Sequence, residues 1–472
     1  MNKTSSIKIN FIYNTIYQIL SMIVPLITTP YLARVLGAEK IGIFSYSFSI
    51  VYYFGLFAML GVNNYGNRSI AQTRDDKTNN SKTFWGIYLF QLISSIIMVI
   101  IYSIYVIAWC DDKIIGWIMV IYIVSAGIDV NWFFFGLEKF KITTIRNVFV
   151  KSFTVFGVFV LVKRPSDVYM YAFIYVFGQL VSQIVLWISV RKYIHPCKIT
   201  AFDIIRHVKP NLILFIPVLG VSLYKIMDKI MLGAMASKVE VGFYESSERV
   251  IQVPIALITS LGTVMLPRIS NLIANDEKEK SENYLQKSLT FAVFLASSMG
   301  FGIMAVAKEF VPIFYGDGYD KCIILFQILL PSCIFLAFAN VLRTQFLIPN
   351  KMDKSYMVSI FSGACINLLV NAMLIPYFEA VGAAIGTLLA EFTVCFVQCY
   401  YVRKYINLYR YIKKSIPYIV AGIVMYVVVY IIPLSLTSTV LTMLVKICIG
   451  AIIYLIIISP KILSYLRHNK YN

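Results

Sequence analysis

Apolar stretches long enough to cross a bilayer recur fourteen times in this chain, and they constrain its fold more than any other feature. They run over about 11–36, 41–63, 83–108, 114–135, 145–162, 168–190, 209–234, 241–266, 285–307, 323–345, 355–377, 380–402, 412–433 and 438–459. With 59% hydrophobic and 14% charged residues and a mean hydropathy of +0.77, the chain has more apolar surface than a water-soluble core can use. The expected fold class is therefore an all-α polytopic membrane protein with 14 transmembrane helices. Lys3 and Lys8 precede the first stretch, which has no convincing cleavage site and reads as a signal anchor.

The formal charge of +19 does not point to nucleic acid, and no nucleic-acid partner is expected. With the N-terminus placed in the cytoplasm, 30 of the 42 basic residues fall on cytoplasmic segments. Eight lie on the opposite side, and Lys225, Lys229, Arg249 and Lys446 lie within apolar stretches. This positive-inside bias places both termini in the cytoplasm. Every loop is short, so no soluble domain is inserted.

The chain also repeats itself. An offset of 200 residues pairs Gly42-Ile43-Phe44 with Gly242-Phe243-Tyr244, and Arg68 with Arg268. An offset of 212 pairs VRKYI at Val190–Ile194 with the same pentapeptide at Val402–Ile406, and Gln179 with Glu391. Each half holds six spans, an even number, so both halves share one orientation. The expectation is two parallel six-helix lobes about an axis along the membrane normal, residues 1–200 and 201–406. Two extra helices and a cytoplasmic tail follow in 407–472. Transporters of this design place the substrate path between the repeats.

Catalytic signals are thin, and no enzyme activity is expected. His195, His207 and His468 have no metal-ligand spacing, and no phosphate-cradling loop, HExxH or nucleophile elbow occurs. The eight cysteines are scattered and read as apolar packing residues. No metal or other cofactor is expected. Asp111 and Asp112 read as a solvated loop tip.

Charges inside the spans are the informative set, because an ionisable group at membrane depth is expensive unless it faces protein or water. The stretch Ser222–Gly233, SLYKIMDKIMLG, places Lys225, Asp228 and Lys229 on one side of a helix. Across the next turn, Glu245, Glu248 and Arg249 lie at a similar depth and can face Lys225 and Lys229. Two readings fit equally: an ion-pair network locking two helices, or a cationic lining for an anionic substrate, tuned by the acids. Asp129, followed by Asn131 and Trp132, reads first as an interfacial collar with an aromatic belt. Glu391 is mid-span and favours a functional or buried-partner role, whereas Lys446 is close enough to an end to snorkel. Arg34, Arg68 and Arg268 read as topology anchors first and substrate contacts second. Pro25, Pro30, Pro217, Pro254 and Pro331 are candidate bending points.

The run DVNWFFFGLEKFKITTIRN at Asp129–Asn147 resembles the signature after the fourth span of Wzx-type polysaccharide flippases. These belong to the multidrug/oligosaccharidyl-lipid/polysaccharide exporter superfamily. PLITTPYLARVLGAEKIG at Pro25–Gly42, YGDGY at Tyr315–Tyr319 and GAAIGTLLAE at Gly382–Glu391 are similar to the same family. The resemblance implies alternating-access export of undecaprenyl-diphosphate-linked oligosaccharide repeat units, from the inner to the outer leaflet of a bacterial cytoplasmic membrane. It also implies membrane lipid, and the polymerase and glycosyltransferases of the same pathway, as partners. A diphosphate head needs cationic groups in a wet cavity; Lys225, Lys229, Arg249, Arg34 and Arg68 are the candidates. Asp228, Glu245, Glu248, Glu391 and Asp129 are the candidate coupling or cavity acids, with proton and sodium coupling both open. The competing readings are a cation-coupled multidrug exporter of the same superfamily, a membrane enzyme of the same pathway, and an assembly scaffold.

Overall fold

The computed structural model describes the backbone of residues 3–468 and the side chains of residues 23–461. Lys3, Lys8 and His468, which entered the sequence reading, lie outside the described side chains. The described residues form helices and no strand. Two compact units divide between Ser222 and Leu223.

In the first unit, α1 (Lys3–Met59) would be about 85 Å long if straight, more than twice the ~30 Å of a hydrocarbon core. It is broken at Gly37, whose φ of 75° and ψ of 168° are not helical. Pro25 and Pro30 lie within the helix and do not break it. After Leu60 and Gly61, both at positive φ, comes the short α2 (Val62–Thr73). A Cβ on Gly61 would lie 2.5 Å from the Asn211 carbonyl oxygen, so glycine is needed there for the backbones to approach. The helices α3 (Lys77–Ala108), α4 (Lys113–Gly127), α5 (Asn131–Gly136), α6 (Phe140–Leu161) and α7 (Val168–Val190) follow. Of these, α6 is 22 residues long, so the shortest apolar stretch of the sequence starts earlier than its hydropathy suggested.

Lipid-type exposure explains the outside of this unit. Ile93, Ile96, Ile97, Ile100, Ile104 and Ile107 form an exposed stripe on α3 at helical spacing, while Gln91, Ser94 and Ser95 on the same helix are buried. The core instead gathers aromatic residues. Trp132, Phe133 and Phe134 are fully buried with Phe84, Ile70 and Leu186, and the Phe84 and Trp132 rings stack at 5.4 Å. The run after Asp129 is thus a packed core, not the interfacial belt expected from sequence. Asp111-Asp112 is also more than a solvated tip: Asp112 accepts from the backbone N–H groups of Ile114 and Ile115, capping α4.

The helix α8 (Ala201–Met235) carries the division between the units and passes through Pro217 unbroken. The second unit continues with α9 (Lys238–Ala274), α10 (Lys278–Ala305), α11 (Ala307–Tyr315), α12 (Lys321–Leu329) and α13 (Ser332–Leu342). Pro331 separates α12 from α13, so of the five prolines singled out it alone coincides with a break. A π-helical turn, Arg343–Leu347, closes α13 through a bond from the Ile348 N–H to the Arg343 carbonyl. The 50-residue α14 (Asp353–Val402) is two helices meeting at Glu379, where φ is 53° and ψ −128°. The helices α15 (Leu408–Ile431) and α16 (Thr439–His468) complete the chain.

Twelve stretches of the described residues are long and apolar enough to cross a membrane. Two of them contain the breaks at Gly37 and Glu379. Lys446 does not snorkel: it is 7% exposed and pairs with Glu309 at 2.6 Å, joining α16 to α11.

Candidate functional site

Lys225, Asp228 and Lys229 face three different environments in the second unit, although their spacing put them on one side of α8. The hairpin into α9 is closed by Ser237, whose hydroxyl caps α9 by accepting from the Glu240 N–H. That turn brings Lys229 opposite Glu245 and Glu248. Its ammonium lies 2.7 Å from Glu245 and 2.9 Å from Glu248. Arg249, one turn along α9 from Glu245, donates to the other Glu245 oxygen at 2.8 Å. Two cations and two carboxylates therefore neutralise one another, with side chains 12–26% exposed. Of the ion-pair network foreseen as one of the two readings, Lys229, Arg249, Glu245 and Glu248 are joined. Lys225 is not part of it.

Asp228 is 1% exposed and faces away from that network. Its Oδ1 accepts from the Asn371 amide at 2.6 Å. Its Oδ2 lies 2.8 Å from both the Tyr244 and the Thr387 hydroxyls, which are themselves 2.7 Å apart. Three oxygens in mutual contact need three protons for three hydrogen bonds, and the two hydroxyls bring two. A proton on Asp228 would complete the ring. Tyr244, Asn371 and Thr387 were not found from the sequence. Uncharged polar residues inside a span are common, and only their convergence on a carboxylate makes them informative.

Gly386 shapes this site. A Cβ there would sit 2.0 Å from the Asn371 Oδ1, an atom that is buried without a hydrogen-bond partner among the described residues. Gly386→Ala is therefore expected to push Asn371 off Asp228 and to cost about 1–3 kcal/mol of overpacking. Thermal melting of the purified protein in detergent checks it, and an unchanged midpoint would refute the close contact.

Glu391 lies one turn along α14 from Thr387 and is 8% exposed, as its mid-span position suggested. Lys225 lies about one turn along α8 from Asp228, at the matching level. Neither has a hydrogen bond or contact ion pair among the described residues, and Lys225 is exposed.

In the first unit, Asp129 sits in the break between α4 and α5. Its carboxylate accepts from the Asn131 N–H and side-chain amide, both at 2.7 Å. Its backbone carbonyl accepts from Gln91 and Trp132. Arg146, 5% exposed, donates to the Ser182 hydroxyl and carbonyl and to Asn131. Arg146 is one of the 30 basic residues that the positive-inside pattern puts on cytoplasmic segments. Arg34 and Arg68 are exposed residues of the first unit.

An all-helical chain with twelve stretches able to span a bilayer, two of them broken, is a polytopic membrane protein. The chain belongs to the family described as "Polysaccharide biosynthesis protein", whose model matches residues 7–273. A second model, MatE, matches residues 214–373. A protein of Escherichia coli (strain K12) named as an O-antigen transporter is 27% identical over 391 residues, covering 82% of this chain and 94% of the relative. A Haloferax volcanii protein named as a low-salt glycan biosynthesis flippase is 24% identical over 172 residues, 36% of each chain. Among solved structures, the lipid II flippase MurJ in an inward closed conformation superposes with a TM-score of 0.75 at 15% identity, covering 97% of this chain and 100% of MurJ. An inward-facing multidrug resistance MATE family transporter of the MOP superfamily superposes at 0.57 and 13% identity, covering 84% and 99%. The fold is thus that of the MOP superfamily, and the resemblance to its Wzx-type members holds.

Proposed function

We propose that this protein flips lipid-linked oligosaccharides, moving undecaprenyl-diphosphate-linked repeat units from the inner to the outer leaflet of a bacterial cytoplasmic membrane. The observation that carries this is the match to a relative named for O-antigen transport along 94% of that relative's length. The chain would cross the membrane fourteen times, with both termini in the cytoplasm, as two six-helix repeats and an added helix pair. Alternating exposure of the substrate site to the two sides would carry the diphosphate-sugar head across, while the polyprenyl tail stays in lipid. An inside-negative potential favours that direction for an anion, by about 2.3 kcal/mol per charge per 100 mV. Arg34, Arg68, Lys225, Lys229 and Arg249 remain the candidate cationic contacts, the last two only if substrate can loosen their pairing with Glu245 and Glu248. Asp228, whose ring of oxygens a proton would complete, is the candidate coupling acid.

The MatE match over residues 214–373 favours a second reading, a cation-coupled multidrug exporter. One deletion strain separates the two. The flippase reading expects loss of surface polysaccharide with lipid-linked repeat units accumulating on the cytoplasmic leaflet, and unchanged drug susceptibility. Intact polysaccharide with raised susceptibility to cationic drugs would overturn it.

A further inference from the structure

The two halves of α14 fold back on each other as a hairpin. Gly382 of the second half packs on Leu374 of the first, where a Cβ would lie 2.6 Å from the Leu374 carbonyl carbon. Further along, Gly386 meets Asn371, and Gln398 donates to the Ser359 hydroxyl at 3.2 Å. Positions rise on one half as they fall on the other, so the halves run antiparallel from a single joint. That joint is Glu379, whose φ of 53° and ψ of −128° lie in a region that residues with a Cβ enter only when their surroundings hold them there.

Asp228 takes hydrogen bonds from both halves. Asn371 lies eight residues before the joint and Thr387 eight after it, each about 12 Å away along its helix. The third donor, Tyr244, comes from α9. How the joint is seated against α9 therefore decides whether the three meet on one carboxyl.

Charged groups seat the joint. Glu240, in the first turn of α9 and 6% exposed, accepts the Ala380 N–H at 3.2 Å with one oxygen. Its other oxygen lies 2.6 Å from the ammonium of Lys321, which opens α12 and also pairs with Glu379. The Ala380 N–H is the first of the second half of α14, where a carboxylate also meets the positive end of the helix dipole. Glu240 and Tyr244 are one turn apart on α9, and Ala380 and Thr387 are two turns apart on α14. Each helix thus presents both of its contacts on one side. The Lys321–Glu379 pair is partly exposed and contributes little alone; buried Glu240 carries the clamp.

We infer that Lys321 and Glu240 are positioning residues for Asp228: they clamp the α14 joint to the first turn of α9 and so fix the register in which Tyr244, Asn371 and Thr387 converge. The consequence for transport rests on reading Asp228 as the coupling acid, whereas the clamp itself does not.

The test is thermal melting of the purified full chain in detergent, with complementation of the deletion strain beside it. Lys321→Met and Thr387→Val are each expected to lower the melting midpoint by roughly 2–5 °C, and together by little more than the larger of the two. Residues ~10 Å apart without a shared partner normally add, so the shortfall reads the clamp. Lys446→Met, which breaks the buried pair with Glu309 elsewhere in the unit, adds in full to Thr387→Val. Glu240→Gln keeps an acceptor for Ala380 and loses only the charge, so it breaks the clamp more mildly and gives the same shortfall. In cells, Lys321→Met at normal protein level loses most of the surface polysaccharide, and Lys321→Arg restores it. An unchanged midpoint or additive shifts overturn the inference, and so does full polysaccharide from Lys321→Met where Asp228→Asn has none. If the shortfall is found but Asp228→Asn keeps its polysaccharide, the coupling-acid reading fails and the clamp stands.

Discussion

Replacing Lys229 with methionine is expected to destabilise the protein by about 3–5 kcal/mol, because it leaves Glu248 and half of Glu245 without their cation. Among the described residues the ammonium pairs with Glu248 at 2.9 Å, and it also serves Glu245 at 2.7 Å. Burial at this level makes the loss larger than for a surface pair, where removing one partner costs ~1 kcal/mol or less. The compensating variant is Lys229→Met with Glu248→Gln. Glu245 keeps Arg249, the stranded charge is gone, and most of the lost stability should return. Thermal unfolding of the single and double variants in one detergent checks the pair. A single variant as stable as wild type would mean that the carboxylates find water, and that the network is not closed.

The second large effect falls on transport rather than on stability. Asp228→Asn keeps the shape of a side chain that meets Tyr244, Thr387 and Asn371, but it removes the charge that an exchangeable proton or cation would offset. It should still insert and fold, and it should leave the deletion strain without surface polysaccharide. Asp228→Ala is expected to be worse on both counts, since three donors lose their acceptor at about 1–3 kcal/mol each. Normal polysaccharide in the asparagine variant, at normal protein level, would remove Asp228 from the coupling machinery. Comparing the two substitutions separates a transport role from a merely structural one.

The sites that matter for these predictions were only half legible in the chain. Spacing identified Lys225, Asp228, Lys229, Glu245 and Glu248 as charges in an expensive place, and the turn at Ser237 correctly set Lys229 opposite the two glutamates. Spacing could not tell that Asp228 and Lys229 meet different partners while Lys225 is exposed. A helix turns ~100° per residue, so positions three and four apart share a side but not a contact. Arg146 was missed for a related reason. It lies near a span end with other basic residues, where a positive-inside count absorbs it, and its burial depends on which helix lies beside it.

The sequence by itself determined that the chain lives in a membrane, that it is all helix, and which superfamily it resembles. Those properties follow from local hydrophobicity, helix length and short motifs, none of which needs a neighbour. Tertiary structure decided that Trp132–Phe134 is a buried core and not a belt, that Gly37 and Glu379 break helices where Pro25, Pro30, Pro217 and Pro254 do not, and how the charges pair. Pairing decides the chemistry. Lys225 and Lys229 are the same residue type one turn apart, yet Lys229 is neutralised by two carboxylates and Lys225 is exposed. That difference is electrostatic and belongs to helices brought together by the fold.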